Sequence, residues 1–223
     1  PYLVTIKFST NNGTLTSSTT TSKNNVYKWR ENNGIIERTA ANGSTYSSNF
    51  FTLNYDSSTA SDGLPNYNNS KYLKITKTGY FVVSKEEWKC KSGCTTSGKT
   101  YDQSVAYKAS DFCDATNKDC TVVLGVYWKV NTYTITYNAN GGAGSMGNTI
   151  VNYGTNTAIR SNTFTKTGYT FAGWTTRTDG VDDGYNWTGW SGTWKYVDGQ
   201  YGISNNTLKL YAIWKDTTPP SMD

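Results

Sequence analysis

The chain has 223 residues, which is enough for one large domain or two small ones, and 15% of them are aromatic, including 18 Tyr and 8 Trp. The chain contains no histidine, which excludes Ser-His-Asp and Cys-His catalysis and any histidine-ligated metal. The net charge of +5 comes from scattered lysines and arginines, so we expect no nucleic-acid partner. No apolar run could span a bilayer, so we expect no membrane insertion in this fragment.

The first predicted element is a strand in VTIKFSTNNG, which ends at Gly13. Val4, Ile6 and Phe8 alternate with polar residues, as in a half-buried strand that ends in an Asn-Gly turn. The following stretch VYKWRENNGIIERTAANG predicts a hairpin that turns at Asn32-Asn33-Gly34. The chain starts within strand-like sequence, so we expect it to be a piece of a longer protein.

Three segments then recur in the same order. The first copy continues with KTGYFVVSKEEW from Lys77 and ends with TVVLGVYWK. The second copy has YTITYNANGG from Tyr133, KTGYTFAGW from Lys166, and TLKLYAIWK at its end. Between first strand and KTGY, the first copy is longer by about 40 residues. We therefore predict two tandem β units, of which the first is enlarged by an insertion. The alternative is a single β domain in which the similarity of the segments is coincidental.

The second copy resembles a known family. The series YTITYNANGG, VNYGT, KTGYTFAGWTT and TLKLYAIW is similar to the internalin B-type repeat, or Listeria–Bacteroides repeat, of bacterial surface proteins. The resemblance implies a small β-grasp-like fold, an extracellular location, no enzymatic activity and no cofactor. We therefore predict a mainly β chain, α+β at most, with a divergent repeat at 1–130, a repeat at 131–215 and a linker toward a following domain at 216–223.

Aromatic residues at matched places in the two copies predict core positions. A large ring buries much apolar surface, and both copies are poor in aliphatic residues. Gly168 predicts a turn that a side chain would block. The predicted structural core residues are Tyr80, Trp128, Tyr169, Phe171, Trp174 and Trp214.

The four cysteines occur in CKSGC and CDATNKDC. An even number of cysteines outside the cell favours two disulfides, for which three connectivities are possible. We expect the local pairs Cys90–Cys94 and Cys113–Cys120, because each loop carries turn residues. Crossed pairing would close longer loops and stabilise the chain more, and a four-thiolate zinc site is a further alternative.

The segment DGYNWTGWSGTWKYVDGQYG, Asp183 to Gly202, sets aromatic residues among glycines. Such a surface can stack on sugar rings, with polar neighbours for the hydroxyl groups. The competing hypothesis is a hairpin whose alternate rings complete the core of the second unit. The candidate glycan-contact residues are Tyr185, Trp187, Trp190, Trp194, Tyr196 and Tyr201.

Three carboxylates in TDGVDDG, Asp179, Asp182 and Asp183, are a candidate calcium site, since calcium prefers clustered carboxylate oxygens. They do not match an EF-hand loop, and turns recruit Asp for their own backbone hydrogen bonds. No pair of acids stands out as the catalytic pair of a glycoside hydrolase, so we expect no enzyme. Apart from the calcium hypothesis we expect no metal.

The resemblance and the repeat organisation together predict a non-catalytic module of a bacterial surface protein. We expect it to act as a spacer or stalk and in adhesion, as a monomer at the cell surface or cell wall. Its expected partner is a protein or glycan on a host or neighbouring cell. The alternative prediction is a carbohydrate-binding module that uses the aromatic residues of the segment 183–202.

Overall fold

A computed structural model gives the structure of the chain. It describes residues 3–16, 19–22, 25–49, 51–54, 64–65, 73–82, 87–114 and 119–217. The chain divides into two compact units, Pro1–Lys129 and Val130–Asp223, one residue from the predicted boundary. The mainly β fold class is confirmed, because the regular structure of the described residues consists of strands and one three-residue 3-10 turn. The β-grasp assignment stays a prediction. Among these residues there is no helix long and apolar enough to cross a bilayer.

The first unit contains thirteen described strands, the last of which reaches one residue past its boundary. They are β1 (Leu3–Ser9), β2 (Thr14–Leu15), β3 (Thr19–Ser22), β4 (Asn25–Asn32), β5 (Ile35–Thr39), β6 (Tyr46–Ser47), β7 (Phe51–Asn54), β8 (Ile75–Thr76), β9 (Tyr80–Val82), β10 (Trp88–Ser92), β11 (Thr100–Tyr101), β12 (Cys120–Val126) and β13 (Trp128–Val130). The 3-10 turn lies at Ala109–Asp111.

The main sheet of the first unit has the order β11-β10-β12-β1-β5-β4-β3, with β7 also paired to β1 and β6 to β5. Its central pair, β1 and β12, is parallel, although these strands lie at opposite ends of the unit. The alternation in β1 buries Val4, Ile6 and Phe8 completely or nearly so. Trp88, Tyr101 and Phe112 are among the other fully buried residues of the same core.

The predicted hairpin in the first unit is confirmed. Strands β4 and β5 pair antiparallel, and Asn32 faces Ile35 across a two-residue turn. Asn33 and Gly34 both have positive φ, 49° and 77°, which is the conformation that the favoured two-residue hairpin turns require. The hairpin lies between the turn at Gly13 and strand β7, so most of the extra length of the first unit is inserted there.

The second unit contains β14 (Thr132–Asn138), β15 (Thr149–Asn152), β16 (Asn156–Ala158), β17 (Tyr169–Thr175), β18 (Ser191–Thr193) and β19 (Thr207–Asp216). Its main sheet has the order β15-β14-β19-β17, with β14 and β19 parallel, and β16 pairs with β18. Thr217 still donates a hydrogen bond to the Gly168 carbonyl at 3.0 Å. The rest of the predicted linker lies outside the described residues.

The two units are built on the same three strands in the same register. In the first unit Ile6 faces Val122 on the parallel partner strand, and in the second unit Ile135 faces Leu208. In both units the first strand also has an antiparallel neighbour on its other side. This neighbour is β7 for β1 and β15 for β14. The sequence similarity therefore corresponds to a shared arrangement of strands.

Candidate functional site

The KTGY motif forms the same turn in both units. The Tyr169 amide donates a hydrogen bond to the Lys166 carbonyl at 3.0 Å, and Gly168 has a φ of 77° that other residues rarely adopt. The Lys166 ammonium lies 4.3 Å from the centroid of the Tyr169 ring. In the first unit, Lys77 lies 4.1 Å from the ring centroid of Tyr80. The motif therefore makes a turn closed by a cation–π contact.

This turn places Tyr169 differently from the prediction. The side chain is 38% exposed, so its assignment to the core is wrong, and Tyr80 is only half-buried. The physical reason is local, because the ring packs against the lysine three residues earlier. Trp174, by contrast, is 2% exposed, as expected of a core residue. Phe171 is half-buried and packs against the same core.

The last tryptophan of each unit covers the glycine of the first turn. The Trp128 indole N–H donates to the Thr10 carbonyl at 3.1 Å, and the Trp214 indole N–H donates to the Ala139 carbonyl at 2.8 Å. A Cβ on Gly142 would lie 2.7 Å from the Trp214 ring, which is too close. Both tryptophans are half-buried and pack against the cores of their units.

The cysteines form the two local disulfides, Cys90–Cys94 and Cys113–Cys120. The pairing expected from the turn residues is the one observed, and the four-thiolate zinc alternative is wrong because all four sulfurs are in disulfides. Gly93 lies inside the smaller loop with a φ of 81°, and a Cβ there would overlap the Thr121 carbonyl oxygen. The loop therefore packs directly onto the neighbouring strand.

The three aspartates proposed for calcium each close a turn. Asp179 accepts a hydrogen bond from the Val181 amide at 3.0 Å, and Asp182 accepts one from the Gly184 amide at 2.9 Å. Across the described part of the chain, no three His, Cys, Asp or Glu side chains are grouped so that they could hold a metal ion. The turn interpretation thus accounts for these residues, and the calcium hypothesis has no geometric support.

Hydrogen bonds also lower the pKa of two of these carboxyl groups. The side chain of Arg177, followed by the Val181 amide, lowers the pKa of Asp179 to about 2. Burial acts to raise the pKa of Asp183, but hydrogen bonds from the Thr176 hydroxyl and amide, at 2.6 and 2.5 Å, and from the Tyr185 amide lower it overall. Both groups are held in the ionised form.

The aromatic residues of the segment 183–202 divide into a buried and an exposed set. Trp187 is 3% exposed and Trp194 is fully buried, and both belong to the core of the second unit. Both rings meet Tyr196 edge to face, at centroid distances of 5.7 and 5.2 Å. The indole nitrogens of both have no hydrogen-bond partner among the described residues. The hypothesis that this segment completes the core therefore holds for these two residues.

Trp187 and the four remaining rings line an open depression of about 220 Å³, which we call the aromatic pocket. It is lined by Tyr185, Asn186, Trp187, Trp190, Tyr196 and Tyr201. Trp194 does not line it, so its assignment to glycan contact is wrong. Asn186 was missed by the sequence reasoning, although it lies between two of the candidate residues. The pocket gathers five of the six candidates on one surface.

Two tyrosines form the exposed rim of the aromatic pocket. Tyr185 is 44% exposed and Tyr201 is 39% exposed, and their ring centroids are 4.8 Å apart. Tyr201 has a φ of 49°, which is unusual for a bulky side chain. The backbone on the other side of the rim is fixed by the hydrogen bond from the Tyr185 amide to the Asp183 carboxylate at 2.9 Å. The rim is therefore held in place by the turns that carry it.

Comparison of the sequence with protein-family models matches residues 133–213 to the Listeria-Bacteroides repeat domain. Comparisons with curated proteins and with solved structures give no match. The matched span covers most of the parallel pair β14 and β19, the KTGY turn at Lys166, and the aromatic pocket. The resemblance noted from the sequence motifs is thereby confirmed: residues 133–213, in the second unit, match the Listeria-Bacteroides repeat domain.

Proposed function

We propose that the chain is a non-catalytic repeat module of a bacterial surface protein, which acts as a spacer or stalk and in adhesion. The observation that carries the proposal is the family match over residues 133–213, since this repeat is typical of bacterial surface proteins. Two disulfides support an extracellular location, because such bonds persist in oxidising surroundings. Each unit has its own hydrophobic core, as expected of the separate domains of a stalk.

The electrostatics of the carboxyl groups support a role without catalysis. A general acid requires a carboxyl group whose pKa is raised toward neutrality. Among the described residues, the carboxyl groups with clear shifts are Glu37, Asp179 and Asp183, and the pKa of each is lowered. In Glu37 the first cause is the hydrogen bond from Arg30, so this carboxylate serves an ion pair on the hairpin of β4 and β5. These carboxyl groups support structure.

Surface location is tested with an antibody raised against the oxidised chain. Staining of intact bacteria that carry the parent protein is the expected result. Staining that appears only after permeabilisation would contradict a surface module. An antibody against an epitope tag on the cytoplasmic part of another protein supplies the positive control, because it should stain the cells only after permeabilisation.

Adhesion is tested with beads coated with the oxidised chain. We expect retention on host or neighbouring bacterial cells above that of beads coated with the heat-denatured chain. Pretreatment of the target cells with protease or with glycosidases then separates a protein partner from a glycan partner. Equal retention of native and denatured coats would remove adhesion from the proposal and leave the spacer role. Light scattering should give the mass of a monomer.

A further inference from the structure

We propose that the aromatic pocket of the second unit binds the ring of a neutral saccharide. This inference goes beyond the spacer role and does not depend on it, since a stalk needs no binding pocket. The sequence alone left two uses open for the segment 183–202. The structure divides the residues between them: Trp187 and Trp194 fill the core, whereas the rim tyrosines lie outside it.

The exposed rim is the first observation. Tyr185 and Tyr201 keep about two fifths of their surface in water and are not part of the apolar core. Exposed aromatic rings beside a depression are what a ligand with apolar faces requires. Trp190 and Tyr196 extend the same surface as half-buried rings. The pocket thus presents four rings that a ligand can reach, on a base that Trp187 helps to form.

The backbone of Tyr201 is the second observation. Its φ of 49° is a conformation that a glycine would adopt more easily, and Gly199 and Gly202 on either side have positive φ as well. A bulky residue persists in such a conformation when the surrounding structure fixes it, and such residues cluster at ligand sites. Here that backbone carries a large ring in edge-to-face contact with Tyr185 and Tyr196, at centroid distances of 4.8 and 4.9 Å.

The chemistry of the lining residues selects the ligand class. None of the six lining residues carries a charge at neutral pH, so the pocket suits a neutral ligand. Three phenol hydroxyl groups and the exposed Asn186 amide can exchange hydrogen bonds with sugar hydroxyl groups, while ring faces meet the apolar C–H faces of a pyranose. The volume of about 220 Å³ is below that of pockets for drug-sized ligands, which indicates one sugar ring.

The ring geometry disfavours a quaternary ammonium ligand, which also binds to aromatic residues. A cage for such a cation needs rings that stand apart on several sides of it. In this pocket Tyr201 is in direct edge contact with Tyr185 and Tyr196, at centroid distances of 4.8 and 4.9 Å, so no group fits between them. A ligand must instead lie on the outer ring faces. The apolar C–H face of a pyranose chair fits that requirement.

The test measures binding of the whole oxidised chain to neutral oligosaccharides. An array of glucose, galactose, mannose and N-acetylglucosamine oligomers identifies a binder, and titration with NMR detection of the indole signals gives the affinity. The pocket variant is Tyr185→Ala with Tyr201→Ala. The matched control is Tyr169→Ala, since Tyr169 has similar exposure in the same unit but does not line the pocket. Trp187 is left intact because its loss would damage the core.

We expect saturable binding by the native chain and by the control, and a loss of roughly tenfold or more in the pocket variant. Unchanged binding in a folded pocket variant would overturn the site. If the variant fails to fold, the chemical shifts of the native chain decide: saturable changes at the Trp190 indole support the site, and their absence overturns it. Tetramethylammonium and a proline decamer serve as further probes. Binding of either probe without any saccharide binding would overturn the ligand class, as would a native chain that binds no array member.

Discussion

In the first unit the central strand pair, β1 and β12, is accompanied by an inserted hairpin and two disulfides, whereas in the second unit the equivalent pair, β14 and β19, has neither. Buried aromatic rings occur in both cores, for example Trp88 in the first unit and Trp187 and Trp194 in the second. Small domains bury too little surface to be very stable and need an additional source of stability. The comparison shows one strand arrangement in which aromatic rings fill both cores and the first unit adds covalent bonds.

The largest expected effect comes from removing one buried tryptophan from each unit. Trp194→Ala and Trp88→Ala both delete a fully buried indole, and each should cost about 3–5 kcal/mol in the free energy of unfolding. Hydrogen exchange with mass spectrometry should locate the loss of protection in residues 130–217 for Trp194→Ala and in residues 3–129 for Trp88→Ala. The exposed control Val181→Ala should change stability by less than about 0.5 kcal/mol. Equal loss of protection in both units would contradict two separate cores.

Reduction of the disulfides should lower the stability of the first unit and leave that of the second unit unchanged. Each disulfide closes a short loop, with sequence separations of 4 and 7 residues, so each should contribute about 2 kcal/mol to the stability of the first unit. Urea unfolding of the chain with and without reductant, followed by exchange, measures the difference. Paired substitution of Cys113 and Cys120 by alanine should give about half of the total effect. An equal shift in the second unit, which has no cysteine, would refute the comparison.

Substitution of the glycine beneath each terminal tryptophan tests what the units share. Gly13→Ala would place a Cβ 2.5 Å from the Trp128 ring, and Gly142→Ala would place one 2.7 Å from the Trp214 ring. Each should cost about 1–3 kcal/mol, because the ring or the turn must shift. Gly147→Ala is the matched control, since its Cβ meets nothing within 4 Å. Thermal unfolding of the three variants ranks their stabilities. A neutral effect at only one of Gly13 and Gly142 would show that the two turns are not equivalent.

The smallest expected effects are opposite responses to pH. Burial, with Asp111 and Tyr107 nearby, raises the pKa of Tyr101 to about 12 in the folded first unit. Its phenol thus favours folding below about pH 10, and this contribution is lost as the pH rises toward 12. The lowered pKa of Asp183 in the second unit acts the other way. That carboxylate stabilises the fold above the usual aspartate pKa, and its contribution is lost in more acidic solution.

These responses are checked by unfolding at fixed pH values. Tyr101→Phe should flatten the loss of stability of the first unit between pH 10 and 12, and Asp183→Asn should flatten that of the second unit below about pH 4. Asp182→Asn is the control for acid, because Asp182 is an exposed carboxylate of the same loop that accepts a hydrogen bond from the Gly184 amide at 2.9 Å. A slope that the Asp183 variant leaves unchanged would assign the acid response to another group.

Local patterns in the sequence predicted local structure well. The alternation of Val4, Ile6 and Phe8 predicted a half-buried strand, and the Asn-Gly pair predicted the hairpin, because both depend only on neighbouring residues. Pairing of cysteines within short loops was predictable for the same reason. The parallel pairing of the first and last strands of each unit was not, since it joins segments far apart in the chain.

Ring placement shows where the sequence reasoning failed. Tyr169 and Trp174 stand in the same motif, yet only the tryptophan is buried, because the tyrosine packs against Lys166 on the turn. In the segment 183–202, much of the chain is irregular, so no simple alternation distinguishes buried Trp194 from exposed Tyr201. The sequence left the core and a glycan-contact surface as competing uses of these rings, and only the backbone of the turns decides which ring is buried.

The parallel pair at the centre of the second unit has a mechanical consequence. Strand β14 begins at Thr132, near the start of the unit, and β19 ends at Asp216, near its end. Because the two strands are parallel neighbours, a tension that draws these ends apart slides one strand along the other. The hydrogen bonds between them then carry the load together instead of opening one after another. A unit whose first and last strands are paired in this way resists stretching along the line that joins its two ends.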